Sequence, residues 1–232
     1  YQATQRMNGS SALDAGPGWC FDRFGQTSTQ LPDGRVVWIA GEHEDSYDPD
    51  FYIYSDVVVQ QADGHLDIYG YPREVFPPTD FHSATLVGDE IILIGNLGYP
   101  DDRRPKETQV LILNLQTFAI RTVQTTGTPP GWIHSHTATL SEDGRSILVE
   151  RGKLDRGDDD ASLVENIDDW RLHLESWRWE RLTERRWLRW EIRRQDDEML
   201  SLFDYQQAVW GELLPGLNDP GRDIARTMKE LE

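Results

Sequence analysis

Chemistry in this chain would have to come from its histidines and its acids. His134 and His136 flank Ser135; on an extended strand residues two apart face the same way, so both imidazoles could reach one ion. His82 sits in a similar Phe-His-Ser-Ala-Thr run. The candidate metal ligands are therefore His82, His134 and His136, and with nearby carboxylates the same three are the candidate acid–base groups. The acids cluster as well. "GEHEDSYDPD", residues 41–50, holds Glu42, Glu44, Asp45, Asp48 and Asp50 with no lysine or arginine; Asp101 and Asp102 follow in one later stretch, and Asp158, Asp159 and Asp160 in another. Calcium favours such oxygens, but residues 41–50 lack the glycine at six and the glutamate at twelve of an EF-hand loop. All ten acids are expected to face solvent or a partner. Nucleophilic catalysis has no footing: there is no Gly-x-Ser-x-Gly elbow and no GxxxxGK[ST] loop, and Cys20 lies in a Trp-Cys-Phe context that reads as packing. No catalytic residue and no cofactor is assigned.

These residues recur because the chain repeats. "TSTQLPDGRVVWIAGE" from Thr27, "HSATLVGDEIILIGN" from His82 and "HTATLSEDGRSILVERG" from His136 align on Leu31, Leu86 and Leu140. Each has a short alternating strand, a turn with Asp-Gly or Gly-Asp, and a second apolar strand, which is a hairpin pattern. Polar loops are expected to follow over 41–55, 95–108 and 150–162. A second strand pair comes after each: "DVVVQQADGHLDIYG", "TQVLILNLQTFAIRTV" and "DDWRLHLESWRWERL". That predicts four antiparallel strands per repeat of about 50 residues, a unit that must stack to cover its faces.

His82-Ser83-Ala84-Thr85 and His136-Thr137-Ala138-Thr139, the glycines Gly95 and Gly152, and the spaced pairs Trp170 with Trp177 and Leu111 with Phe118 together resemble the kelch repeat family over about residues 24–183. The resemblance implies a β-propeller whose repeated histidine is structural and whose loops bind proteins. The sequence departs from the pattern in three respects. No repeat keeps both glycines: Gly41 precedes Glu42, Gly95 precedes Asn96, and Gly152 follows Arg151. Thr27 stands where the other repeats have histidine. Three repeats are visible where a closed propeller has at least four blades, so the ring is incomplete, is closed by the termini or by another chain, or belongs to a longer protein.

The expected organisation is an N-terminal segment over 1–23 that helps close a blade, a mainly β, kelch-like propeller over 24–183, and a strand and helix appendage over 184–232. In that appendage Met199, Leu202, Phe203, Val209, Trp210 and Leu213 recur at helical spacing, and Asp219-Pro220 caps a second short helix. Five tryptophans between Trp170 and Trp190 alternate with arginines, but Glu175, Glu180, Glu184 and Glu191 offset that charge and the pattern reads as packing.

Charge then narrows function. With 41 acidic against 23 basic residues the formal net charge is −18, which disfavours nucleic acid because affinity there rests on neutralising phosphates. No apolar run approaches 18 residues, so no membrane span is expected, and a cytoplasmic location follows. A single cysteine rules out an internal disulfide. The expectation is a non-enzymatic, acidic protein-binding module that meets a basic partner through its loops. In its sharpest form it is an inhibitor or immunity protein that neutralises a bacterial toxin such as a nuclease; 20 arginines against three lysines suggest a high-GC bacterial source. The alternative is an enzyme acting on a carbohydrate or small amide at the propeller axis.

Overall fold

The computed structural model describes residues 19–45, 48–157 and 163–186. The chain divides into two units, Tyr1–Arg185 and Arg186–Glu232, and every described residue but Arg186 belongs to the first. The helical appendage expected over 197–232, Asp158, Asp159 and Asp160, and residues 1–18 lie outside the described residues.

The fold is mainly β, built from antiparallel sheets, with no α-helix among the described residues. In chain order come β1 (Thr27–Gln30), β2 (Val36–Ile39), β3 (Glu42–Asp45), β4 (Asp48–Ile53), β5 (Asp56–Gln60) and β6 (Leu66–Gly70). Strands β1-β2-β5-β6 form the first sheet, and β3 pairs with β4 and, through Glu42, bridges Phe24. Next are β7 (Ser83–Val87), β8 (Glu90–Ile94), one 3-10 turn at Pro100–Asp102, β9 (Val110–Asn114) and β10 (Ile120–Thr122), whose order β10-β9-β8-β7 makes the second sheet. The remaining strands are β11 (Thr126–Gly127), β12 (Trp132–His134), β13 (Thr137–Leu140), β14 (Ser146–Glu150), β15 (Lys153–Asp155), β16 (Leu163–Glu165), β17 (Trp170–His173) and β18 (Arg178–Arg181).

The third sheet runs β11-β18-β17-β14-β13, and β12-β15-β16 stand apart as a small sheet. Two expectations are corrected here. The third repeat has five strands rather than four, because Thr126 and Gly127, on the way from the second sheet, pair in parallel with Arg178 and Trp179 of β18. The polar stretches over 41–55 and 150–162 are not plain loops. The first carries β3–β4 and the second carries β15, which pairs with β16 just beyond it, since backbone N–H and C=O groups form a ladder whatever the polarity of the side chains.

Apolar patterning decides how the sheets stack. In the second sheet, Ile91, Leu93, Leu111 and Leu113 face the first sheet and join Val37, Ile39, Val57, Val59 and Phe76 in one core. Ile92, Ile94, Val110 and Ile112 face the other way and meet Ile147, Val149, Trp170, Leu172 and Trp179 of the third sheet. A strand covered on both faces reads as a continuous apolar run, which is what EIILI and VLILN are. The third sheet instead alternates. Its outer face pairs Leu148 with Arg171, Arg171 with Glu180 and Ser146 with His173, a surface suited to water. The first sheet's outer face is apolar across three strands, Trp38 opposite Val58 opposite Ile68.

Ahead of β1, residues 19–23 lie along the first sheet. Phe21 meets Trp38 edge-on at 5.3 Å between ring centroids. Arg23, its side chain fully buried, reaches Asp56 Oδ2 through Nη2 at 2.8 Å, donates to the Ala40 carbonyl at 3.0 Å and stacks over Tyr54 at 3.5 Å.

Candidate functional site

The three sheets are joined at their first strands by a repeated backbone device. Two residues before each first strand the chain enters the left-handed region, at Gly25 (φ 62°), Phe81 (φ 47°) and Ser135 (φ 53°). It does so again directly after each second strand, at Ala40 (φ 50°), Gly95 (φ 76°) and Arg151 (φ 60°). For non-glycine residues such backbone costs about 1–2 kcal/mol, so neighbours must hold it in place. They do. The Phe81 N–H donates to the Gly25 carbonyl at 2.9 Å, and the Ser135 N–H donates to the Phe81 carbonyl at 2.8 Å. Gly95 is required for closeness as well as for its φ, because a Cβ there would lie 2.3 Å from the Ile133 oxygen and 2.7 Å from His136 Cε1.

Side chains repeat the same link. His82 Nε2 is hydrogen-bonded to Thr27 Oγ1 at 2.9 Å, and His136 Nε2 to Ser83 Oγ at 2.8 Å. Each histidine thus ties its own sheet to the hydroxyl that opens the sheet before it. Strand pairing sets Thr27 opposite Ile39, Ser83 opposite Ile94 and Thr137 opposite Glu150, so Gln26, not Thr27, occupies the histidine position of the first repeat. The alignment on Leu31 slips by one residue because Gln30, not Leu31, holds the ladder position that Leu86 and Leu140 hold in the other two repeats.

Burial keeps these rings uncharged. Loss of solvation pushes His82 down to about 3, helped by His136; it pushes His136 down to about 4, helped by His134. His134 is lowered to about 4, first by burial and then by Arg103 and Lys153. The paired-imidazole geometry expected for His134 and His136 does not occur. Left-handed Ser135 ends β12 before β13 begins, so the two histidines belong to different sheets and the rule for residues two apart on one strand does not apply. His134 turns its Nδ1 to Ser135 Oγ at 3.0 Å. Among the described residues no three His, Cys, Asp or Glu side chains are placed to share an ion.

A second layer is built from the connections between second and third strands. β3–β4, the turn at Pro100–Asp102 and β15–β16 fill that position in the three repeats, and they are laced together. Tyr99 Oη accepts the Ile53 N–H at 2.9 Å, Arg103 Nη1 reaches Asp155 Oδ2 at 3.1 Å, Arg103 Nη2 donates to the Gly98 carbonyl at 3.2 Å, and Trp132 Nε1 donates to the Leu97 carbonyl at 2.9 Å. Asp80 lies fully buried beneath this layer. One of its oxygens accepts the Gly98 N–H at 2.7 Å, and burial raises its pKa against the opposing hydrogen bonds of Gly98 and Glu42 and the charge of Arg103.

The expected acids do not share one fate. Glu42 is partly buried and bears on Asp80 instead of projecting freely. Glu44, Asp45, Asp48 and Asp50 belong to the β3–β4 hairpin, with Asp45 opposite Asp48. Asp101 is exposed on the 3-10 turn, and its neighbour Asp102 pairs with Arg73. Asp80, Arg103 and Arg23 were not singled out in the sequence; isolated charges in loops carry no periodic signal, although Asp80 directly precedes the Phe81-His82 start of a repeat. A cleft of about 370 Å3 lined by Lys106, Gln109, Gln124, Pro129 and Trp132 opens elsewhere, at the flank of the second sheet, with none of the three histidines in its wall.

Neither the known family models nor the curated proteins include a match to this chain.

Proposed function

We propose that the chain is a divergent, kelch-like propeller segment that acts as a non-enzymatic protein-binding module. Its interface is the acidic layer of second-to-third-strand connections, and its partner is a basic protein. The sharpest form of the reading is a toxin antagonist, in which the acidic layer stands in for a polyanionic substrate such as a nuclease's nucleic acid. The propeller reading is supported by the threefold recurrence of the left-handed residues and the twofold recurrence of the histidine–hydroxyl link. The observation that carries the binding reading is the cross-linked layer itself: acidic connections from three repeats held to one another through Tyr99 and Arg103 in a chain of net charge −18. Loops fixed to a rigid scaffold are where recognition concentrates, and a negative surface speeds capture of a positive one.

The test is capture from the source lysate at low and high salt, followed by association kinetics of the recovered partner with a Glu44→Lys, Asp45→Lys, Asp48→Lys, Asp101→Lys variant. Association at low salt is expected to slow about tenfold or more, and the difference to vanish near 1 M salt, where the screening length is about 3 Å. Equal rates for variant and parent at low salt would remove this layer from the interface.

A further inference from the structure

We propose that β6 is a docking strand for a second copy of this chain, joined antiparallel about a twofold axis through Ile68. The other sheets protect their outermost strands. β18 is already paired with β11, and β10 is only three residues long. β6 has five residues, and among the described residues no strand lies beyond it. Its side chains Leu66 and Ile68 are 43% and 52% exposed. A long apolar edge of this kind is a template for strand addition.

The free backbone groups can be assigned from the register. Tyr71 N–H donates to the Ser55 carbonyl and Gln61 N–H to the His65 carbonyl, so odd-numbered residues of β6 form its ladder with β5. The N–H and C=O groups of Leu66, Ile68 and Gly70 therefore point outward. A twofold axis at Ile68 sets Ile68 opposite itself and Leu66 opposite Gly70 of the second copy, so all three outward residues find partners and each leucine covers a glycine. The same operation places Asp67 opposite Tyr69 and His65 opposite Tyr71, with no like charges facing. It also carries exposed Asp63 towards exposed Arg73 of the second copy. Edges that fit themselves in this way are what a twofold interface demands. The exposed Leu66 and Ile68 side chains of the two copies then lie side by side on one face.

Sedimentation equilibrium of the full chain tests this. The contact is small, so the dissociation constant is expected on the order of 10–100 µM. It should fall as salt rises, because two chains of charge −18 repel; capture of a basic partner has the opposite salt dependence, which keeps the two proposals separable. Ile68→Pro removes an outward N–H without touching the ladder with β5, and Ile68→Lys sets charge against charge on the axis. Both variants are expected to stay monomeric to about ten times the parent's dissociation constant, while Leu163→Lys, an exposed apolar site on another strand, leaves pairing unchanged. If Ile68→Pro does not fold, Ile68→Lys decides. A parent chain still monomeric at about 1 mM, or a dimer that persists in Ile68→Lys, would overturn the proposal.

Discussion

The histidines show how a residue type can suggest one chemistry while its surroundings permit another. His82 is buried and His136 half-buried with its ring Nδ1 inside, and a proton on either ring would forfeit hydration that the hydroxyls of Thr27 and Ser83 cannot replace. Their folded pKa values lie below the unfolded value near 6.5, so the unfolded chain binds more protons as the pH falls. Stability contributed by the neutral rings is complete above about pH 6.5 and is lost progressively toward the folded values near 3 and 4. From pH 7.5 to pH 5 the loss is expected to be about 2 kcal/mol per ring, read as a drop in urea midpoint. A His82→Gln, His136→Gln chain should lose most of that dependence. Asp80 works in the opposite direction, since its raised pKa favours the folded state as it protonates. A parent midpoint that is flat between pH 7.5 and 5 would contradict burial of neutral imidazoles. The histidines and the Asp-Gly turns were legible in the sequence because they recur. The one-residue slip at Thr27 was not, since Leu31 keeps the apolar pattern while standing one residue past the position of Leu86 and Leu140, and only the ladder reveals that Gln26 takes the place of the ring.

Among the elements, strands were readable wherever burial imposes a period. EIILI and VLILN announce a sheet covered on both sides, and WRLHLESWRWE announces one with a wet face. β3–β4 and β15–β16 were hidden because their pairing rests on backbone groups and brings no apolar face with it, and β11 is too short for any pattern to register. The segment Trp19–Arg23 was equally silent, although it fastens the first sheet. Arg23 is a buried cation held by Asp56, the Ala40 and Cys20 carbonyls and two aromatic rings. Removing one side of a buried ion pair strands the other, at a cost of about 3–5 kcal/mol. Arg23→Ala is therefore expected to lower the thermal midpoint by about 6–20 degrees, and Arg23→Ala with Asp56→Ala to recover part of it. A midpoint within two degrees of the parent would mean that this segment holds nothing.

For the whole molecule, charge and stacking set the behaviour. A net charge of −18 on one chain is self-repulsive, so moderate salt should raise the thermal midpoint before any binding is considered. The midpoint is expected to climb between about 20 and 300 mM NaCl; a falling midpoint would mean that attractive surface pairs such as Arg185 with Asp169 outweigh the repulsion. The placement of β11 bears on the order in which the protein is made. Thr126 and Gly127 leave the ribosome some fifty residues ahead of Arg178 and Trp179, so the first two sheets and this short strand exist before the strand that completes the third. β18, the last strand among the described residues, meets a waiting template on its outer side, and a chain interrupted before residue 178 would display that template unpaired. A chain truncated before β18 would thus carry one more open strand edge than a finished one, at Thr126–Gly127.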